Sequence, residues 1–272
     1  MKTFTSEDAP QFCIIAPTVY LEKYAGLSSK HLVLAHLVDT SPDYQAYYVS
    51  RSAVGDGLIM DNGAFELGES YKPEKLLELG RACAADVIVL PDYPGQPSSK
   101  TIEAAEKYAP IFKDAGFKTM FVPQSKVGAF DDFISGYMWA ADNELVDLIG
   151  MSILNIPNAM PHIPPSYARV VMTEILIDRG VFADKYHHYL GLNAGPALEI
   201  PSLIKMGALN SCDSSGPVWA GILGHEYSEN TDSYLSVKKV KAHVEFDYSW
   251  VKDDDTHKRI RHNLNLTLEL FK

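Results

Sequence analysis

The sequence predicts a single α/β domain, a (β/α)₈ TIM barrel spanning residues 1–272, on three observations. Short apolar, β-branched runs closed by turn residues recur eight times along the chain, and helix-compatible stretches separate most of them. Most of these runs are apolar at nearly every position rather than alternating, as expected of parallel strands covered on both faces. Strand and helix in alternation specify a parallel α/β architecture, and a count of eight favours a closed barrel over an open sheet. The open, dinucleotide-binding rival lacks its signature, since no Gly-x-Gly-x-x-Gly follows an early strand.

In chain order the predicted strands are FCIIAPT (12–18), HLVLAHLV (31–38), GLIMDNG (57–63), DVIVLPD (86–92), KTMFVPQ (118–124), DLIGMSI (147–153), HHYLGLN (187–193) and LNSCDSS (209–215). The helix-compatible stretches are KPEKLLELGRACA, SSKTIEAAEKYAPIFKDAG, AFDDFISGYMWAADNEL, PPSYARVVMTEILIDRG and PALEIPSLIKMG. In the second, Ser98 or Ser99 reads as the N-cap and Gly116 as the C-terminal stop. From about residue 221 to 272 the chain reads as the last barrel helix plus a C-terminal elaboration. An acidic and polar stretch is followed there by a Lys-rich segment and an amphipathic helix whose amino end carries Asp253 to Asp255, favourably placed for its dipole.

A chain of 272 residues with 46 % hydrophobic content can bury a large core. No stretch reaches the ~20 apolar residues that span a bilayer, and the amino terminus lacks a basic segment followed by an apolar one, so no membrane partner and a cytoplasmic location are expected. Cys13, Cys83 and Cys212 are too far apart in sequence to indicate a disulfide framework or a Cys-x-x-Cys knuckle. A net charge of −11 argues against nonspecific nucleic-acid binding over the whole surface, while leaving room for a local basic patch.

Barrel enzymes react at the carboxyl ends of their strands, and polar residues of this sequence fall there repeatedly. Asp61, Asp92 and Gln124 end the third, fourth and fifth runs, Gly150 and Ser152 lie in the sixth, Asn193 ends the seventh and Asp213 lies near the end of the eighth. Each has a plainer explanation on its own: Asp61 in an Asp-Asn-Gly turn, Asp92 in a turn, Gln124 in a surface loop, Asp213 capping the last helix. Their joint placement makes one pocket the stronger reading.

The ordered segments MDNGAFE, DVIVLPDYPG, MFVPQ, LIGMS, HYLGLNAGP and MGALNSCDSSG, over roughly residues 57–221, resemble the tRNA-guanine transglycosylase superfamily, including its phage relatives that insert 7-deazaguanines into DNA. That resemblance implies Asp61 as general acid and base, Phe65 as the aromatic beside the base, Asp92 as reader of the guanine edge, and Gln124 and Gly150 as further base contacts. It implies Asp213 as the nucleophile, while Asn193 joins the substrate-binding set by its place at a strand end. The implied reaction is a pentosyl transfer in which guanine in DNA, or alternatively tRNA, is exchanged for a free base such as 7-cyano-7-deazaguanine through a covalent aspartyl-sugar intermediate, with no cofactor. A phage-encoded protein would act in the host cytoplasm, and the superfamily's dimers leave a homodimer open.

Carboxylates suit that chemistry in their own right, because one can stabilise a cation-like sugar and another can accept paired N–H donors. The sequence departs from the tRNA enzymes in lacking three closely spaced cysteines and a downstream histidine, so no structural zinc is expected, and His225, His243, His257 and His262 read as scattered surface residues. Lys238, Lys239 and Lys241, with the segment His257, Lys258, Arg259, Arg261 and His262, are candidates for nucleic-acid backbone contact or simply a solvated face. Two other classes compete: a barrel hydrolase of small N-glycosides, and a noncatalytic nucleic-acid-binding subunit.

Overall fold

The computed structural model describes residues 4–193, 195–228 and 253–272. Eight parallel strands form a nearly closed (β/α)₈ barrel: β1 (Gln11–Ile14), β2 (Lys30–Val33), β3 (Gly57–Met60), β4 (Val87–Val89), β5 (Lys118–Phe121), β6 (Leu148–Gly150), β7 (Tyr186–Tyr189) and β8 (Ser211–Ser214). Hydrogen-bonded ladders join them in the order β1-β8-β7-β6-β5-β4-β3-β2, and β1 lies beside β2 at the remaining seam. Each strand lies within or overlaps one of the predicted runs. The observed strands are shorter because the runs continue into the βα loops.

The described α-helices, in chain order, are α1 (Leu21–Tyr24), α2 (Ala35–Thr40), α3 (Pro42–Ala53), α4 (Ala64–Leu67), α5 (Pro73–Ala82), α6 (Ser98–Asp114), α7 (Phe130–Asp142), α8 (Asn155–Ala159), α9 (Pro165–Asp178), α10 (Pro196–Lys205), α11 (Gly216–Ile222) and α12 (Asp254–Glu269). The second predicted strand ran too far: its last residues open α2, because a short apolar run does not distinguish a strand from a buried helix. Ser41 caps α3, its Oγ accepting from Tyr44 N at 3.3 Å, with Pro42 in the first turn. Asp253 likewise caps α12, accepting from Thr256 N at 2.7 Å. Neither Ser98 nor Ser99 is the cap of α6: Pro97 holds that position, while Ser98 N donates to Asp132 at 3.0 Å and ties α6 to α7. Gly116 follows the end of α6 with φ +91°.

Strand alternation divides the side chains between barrel interior and helix layer. On β7, His187 faces outward and pairs with Tyr137 of α7 at 2.8 Å, whereas His188 pairs with Ser211 of β8 at 2.6 Å. The amino-terminal pole is closed by Phe4, which is buried beneath Lys30 at the start of β2, the Nζ lying 3.8 Å from the ring centroid. The opposite pole, where the strands end, is left for chemistry. At the carboxy terminus α12 packs against α11 so closely that a Cβ on Gly221 would lie 2.8 Å from the Ile260 backbone. Lys238, Lys239, Lys241 and His243 lie outside the described residues. Among the described residues no helix is long and apolar enough to cross a membrane.

Candidate functional site

Four carboxyl side chains meet at the carboxyl ends of the strands. Asp61 follows β3, and its Oδ2 accepts from Gly63 N at 3.0 Å, so the Asp-Asn-Gly turn of the plainer reading is present and presents the carboxyl at the same time. The chain then forms the four-residue α4 between Gly63 and Gly68, both at φ +81°, a conformation that glycine adopts without Cβ strain. This short helix brings Glu66 back toward Asp61, near enough for each carboxyl to act on the other's protonation.

Asp92 follows β4 and is 8 % exposed. One of its oxygens accepts from Asn62 Nδ2 at 2.7 Å, and the other accepts from Gln124 Nε2. The Asn62 amide also reaches Leu90 O at 2.9 Å, so it stitches the end of β3 to the end of β4. Gln124 is fully buried, and its Oε1, like the neighbouring Ser125 Oγ, has no hydrogen-bond partner among the described residues.

Asp213, in β8, is 6 % exposed. Its Oδ1 accepts from Gly191 N at 2.9 Å and meets His188 Nε2 at 3.1 Å. If Ser211 donates to His188 Nδ1, the tautomer that satisfies both contacts carries its proton on Nε2. Oδ2 of Asp213 has no such partner among the described residues, which leaves it for an incoming molecule.

Crowding of negative groups governs their protonation. Enclosure by protein raises Asp61, two backbone N–H bonds oppose the rise, and the Asp213 charge adds to it. Glu66 sits on an exposed turn, where water reaches it, yet its carboxyl is hemmed in by protein. That enclosure, followed by the charges of Asp61 and Asp213, pushes it well above the carboxylate range. Burial pushes Asp92 up to about 6, against the hydrogen bonds from Asn62 and Gln124 and with help from the Asp61 charge. The Asp61 and Glu66 pair therefore retains a proton at pH values where an isolated carboxyl has lost it.

The other predicted site residues stand differently. Gly150 ends β6 where a Cβ would come within 2.8 Å of Val122, so close interior packing accounts for it. The Asn193 amide is spent on the backbone, donating to Ser166 O at 3.0 Å and accepting from Gly195 N at 2.7 Å. Phe65, on α4, is 75 % exposed beside the carboxyls. Ser152 lies in the turn that leads into α8, its Oγ accepting from Leu154 N at 3.2 Å and Asn155 N at 3.3 Å. Sequence reasoning missed Glu66, Asn62 and His188. The first two lie inside the quoted MDNGAFE segment, and the two flanking glycines were the available sign of a tight turn. Among the described residues no three His, Cys, Asp or Glu side chains converge as ligands of a metal ion would. Two surface depressions, one lined by Glu22, Asp43 and Tyr47 and the other by Asp142, Phe182 and Asp184, contain none of these four carboxyls.

No protein-family model matches the chain, and no curated protein matches it. Solved structures do. The YdjI aldolase of Escherichia coli K12 superposes with a TM-score of 0.56 at 8 % identity, over 98 % of this chain and 92 % of that one. A dihydrodipicolinate synthase of Agrobacterium tumefaciens str. C58 superposes with a TM-score of 0.51 at 9 % identity, over 96 % and 98 %. At such identity the likeness is one of fold.

These findings overturn the transglycosylase resemblance. The barrels that share this fold are aldolase and synthase structures, and no family or curated match joins the chain to the guanine-exchanging enzymes. Acidic residues at strand ends and glycines in tight interior packing are features that barrels share, so short ordered motifs of this kind do not define a superfamily. Set aside with the resemblance are the pentosyltransferase assignment, the phage setting, and DNA, tRNA and a free 7-deazaguanine as partners. The site agrees on physical grounds, because a mouth whose buried charges are carboxylates repels phosphate. Four of the five candidate basic residues of α12 also have partners within the chain: His257 with Tyr24, Lys258 with Asp255 at 3.0 Å, Arg259 with Gly221 O at 3.2 Å and His262 with Tyr227 O at 2.8 Å.

Proposed function

We propose that the protein is a lyase of the aldolase kind that works by carboxylate acid–base chemistry on a small, uncharged, hydroxylated carbonyl compound. The observation that carries this reading is the gathering of Asp61 and Glu66 beside an Asp213 whose Oδ2 has no partner among the described residues, a crowding that raises both Asp61 and Glu66. In that scheme Asp213 Oδ2 takes the proton of a hydroxyl β to the carbonyl. The intervening carbon–carbon bond breaks, leaving an aldehyde, and its electrons flow to the carbonyl oxygen. The carboxyl pair delivers its proton there, giving an enol. Asp213 then returns its proton to the enol carbon while the enol hydroxyl proton returns to the pair, so both catalytic groups are restored.

The name of the aldolase with the same fold agrees with this reading, but the carboxyl groups are its basis. An imine route through a lysine has no support from the described residues: Lys30 and Lys118 start β2 and β5, and Lys185 precedes β7, all at the opposite pole. Among the described residues no buried cation faces the carboxyls, which disfavours anionic substrates. The buried Arg169 is fully engaged with Glu199 and backbone carbonyls. We take residues 1–272 as one barrel unit, and its three buried free thiols suit a reducing cytoplasm.

The test is carbon–hydrogen exchange in D₂O, followed by proton NMR across a panel of neutral and carboxylated hydroxyketones, alongside an assay for aldehyde release. Exchange with neutral members that disappears in Asp213→Asn is expected. Exchange confined to the carboxylated members, or none with any member, would sink the proposal.

A further inference from the structure

Arg169 and Glu199 form an ion pair in the helix layer, 1 % and 0 % exposed. Arg169 lies on α9 and Glu199 on α10. The guanidinium has five N–H bonds, and each finds an acceptor. Nε and one Nη2 hydrogen go to the two Glu199 oxygens, both at 2.7 Å. Nη1 goes to Met151 O at 3.2 Å and Leu190 O at 3.0 Å, and the other Nη2 hydrogen goes to Gly191 O at 2.7 Å. Two of these acceptors lie in the segment that runs from the end of β7 to Asp213's backbone partner.

Leu190 C=O and Gly191 N–H belong to one peptide unit, and that unit is planar and rigid. The guanidinium holds its oxygen, while its N–H holds Asp213 Oδ1 at 2.9 Å from the opposite edge. The next carbonyl, Gly191 O, is held by the same guanidinium, so the peptide planes on both sides of the Gly191 Cα are fixed. Gly191 has φ +75°, and a Cβ there would meet Ile153 at 2.9 Å, so this backbone has little freedom to reach Asp213 in another way. A buried ion pair is a poor source of stability, since apolar residues of similar volume often serve as well. A role in geometry explains its presence better.

We propose that Arg169 is a positioning residue for Asp213, acting through the Leu190–Gly191 peptide to select which carboxylate oxygen is left without a protein partner and to hold Oδ1 against His188. The proposal rests on the reading that Asp213 presents Oδ2 to substrate. Its test does not use turnover, so a failure of either can be told from a failure of the other.

The experiment is nitrogen-15 NMR of histidine-labelled full-length protein in wild type, Arg169→Lys and Arg169→Met/Glu199→Leu. Lysine keeps the charge but not the fork. The double variant removes both buried charges and so avoids leaving one unpaired. His187 is the internal control, lying next to His188 on β7 but bonded outward to Tyr137. In both variants the His188 Nε2–H is expected to exchange with solvent at least tenfold faster than in wild type, with a shifted ring nitrogen resonance, while His187 keeps its wild-type shifts. Unchanged His188 signals would overturn the proposal, as would equal changes in the two histidines, which would mean a general loosening of β7. Failure of both variants to fold would also count against it, by assigning the pair to stability alone.

Discussion

Glu66 lies five positions beyond Asp61 on a glycine-flanked turn, and the Asp61 charge raises the affinity of Glu66 for a proton. Neither would hold that proton alone in water. The arrangement is a store for one proton at the mouth of the barrel, and in the proposed cycle that proton goes to the carbonyl oxygen. Activity should therefore fall as pH rises through the raised range of the pair, because the proton is then lost. Glu66→Gln keeps a hydrogen-bond donor beside Asp61 but has no proton to give. It is expected to lower kcat by about 10²-fold and to remove this alkaline limb from the profile of the exchange reaction. An unchanged limb in the variant would assign the proton to another group.

Asp92 makes a separate prediction about stability. Its carboxyl is raised to about 6 in the folded protein from the 3.8 of an ordinary aspartate, so the folded state binds a proton more tightly than the unfolded chain. The stabilising contribution is present in full below about pH 4 and is lost as pH rises through 6. A shift of this size corresponds to about 1–3 kcal/mol. Asp92→Asn, which cannot ionise, should thus melt higher than wild type at pH 8 relative to its behaviour at pH 4. Gln124 can turn its amide so that Oε1, unpartnered in the native protein, accepts from the new side chain. Thermal melts at the two pH values measure the difference, and parallel curves for the two proteins would refute it.

Asp213→Asn tests the base directly. The substitution keeps shape and volume at a residue that is 6 % exposed, and Asn can still accept from Gly191 N and His188 Nε2 through its amide oxygen. Little change in melting temperature is expected. A catalytic base should nevertheless be missed by about 10²- to 10⁴-fold in kcat. Activity within twofold of wild type would remove Asp213 from the mechanism.

The barrel was legible because its strands carry the signal in composition alone: Val87, Ile88 and Val89 are all buried, as both faces of a covered parallel strand demand. The placement of Asp61, Asp92, Gln124 and Asp213 followed from the same runs, since the residue after a strand lies at the mouth. Contacts between elements were not legible. Arg169 and Glu199 are 30 residues apart, and nothing in either helix's pattern marks them as partners. Glu66 carries no mark of its own in the sequence, because its approach to Asp61 depends on two left-handed glycines. The resemblance went wrong for a related reason: aspartates and glycines at strand ends reflect the architecture of a barrel before they reflect any one activity.

Phe65 offers a prediction in which stability and binding separate. At 75 % exposed, its ring buries little surface in the native protein, so Phe65→Ser should leave the melting temperature nearly unchanged, within about 0.5 kcal/mol of stability. Its position on α4, one residue before Glu66, places an apolar group at the edge of the carboxyl cluster. On the proposed reading, a substrate that enters this mouth would cover that ring and remove it from water. Because the ring is far from proton transfer in kind, being neither acid nor base, its contact is the same in the ground state and the transition state. Uniform binding of that sort appears in KM and not in kcat. Phe65→Ser is therefore expected to raise KM severalfold with kcat preserved. A fall in kcat at constant KM would instead mean that Phe65 holds α4, and with it Glu66, in place.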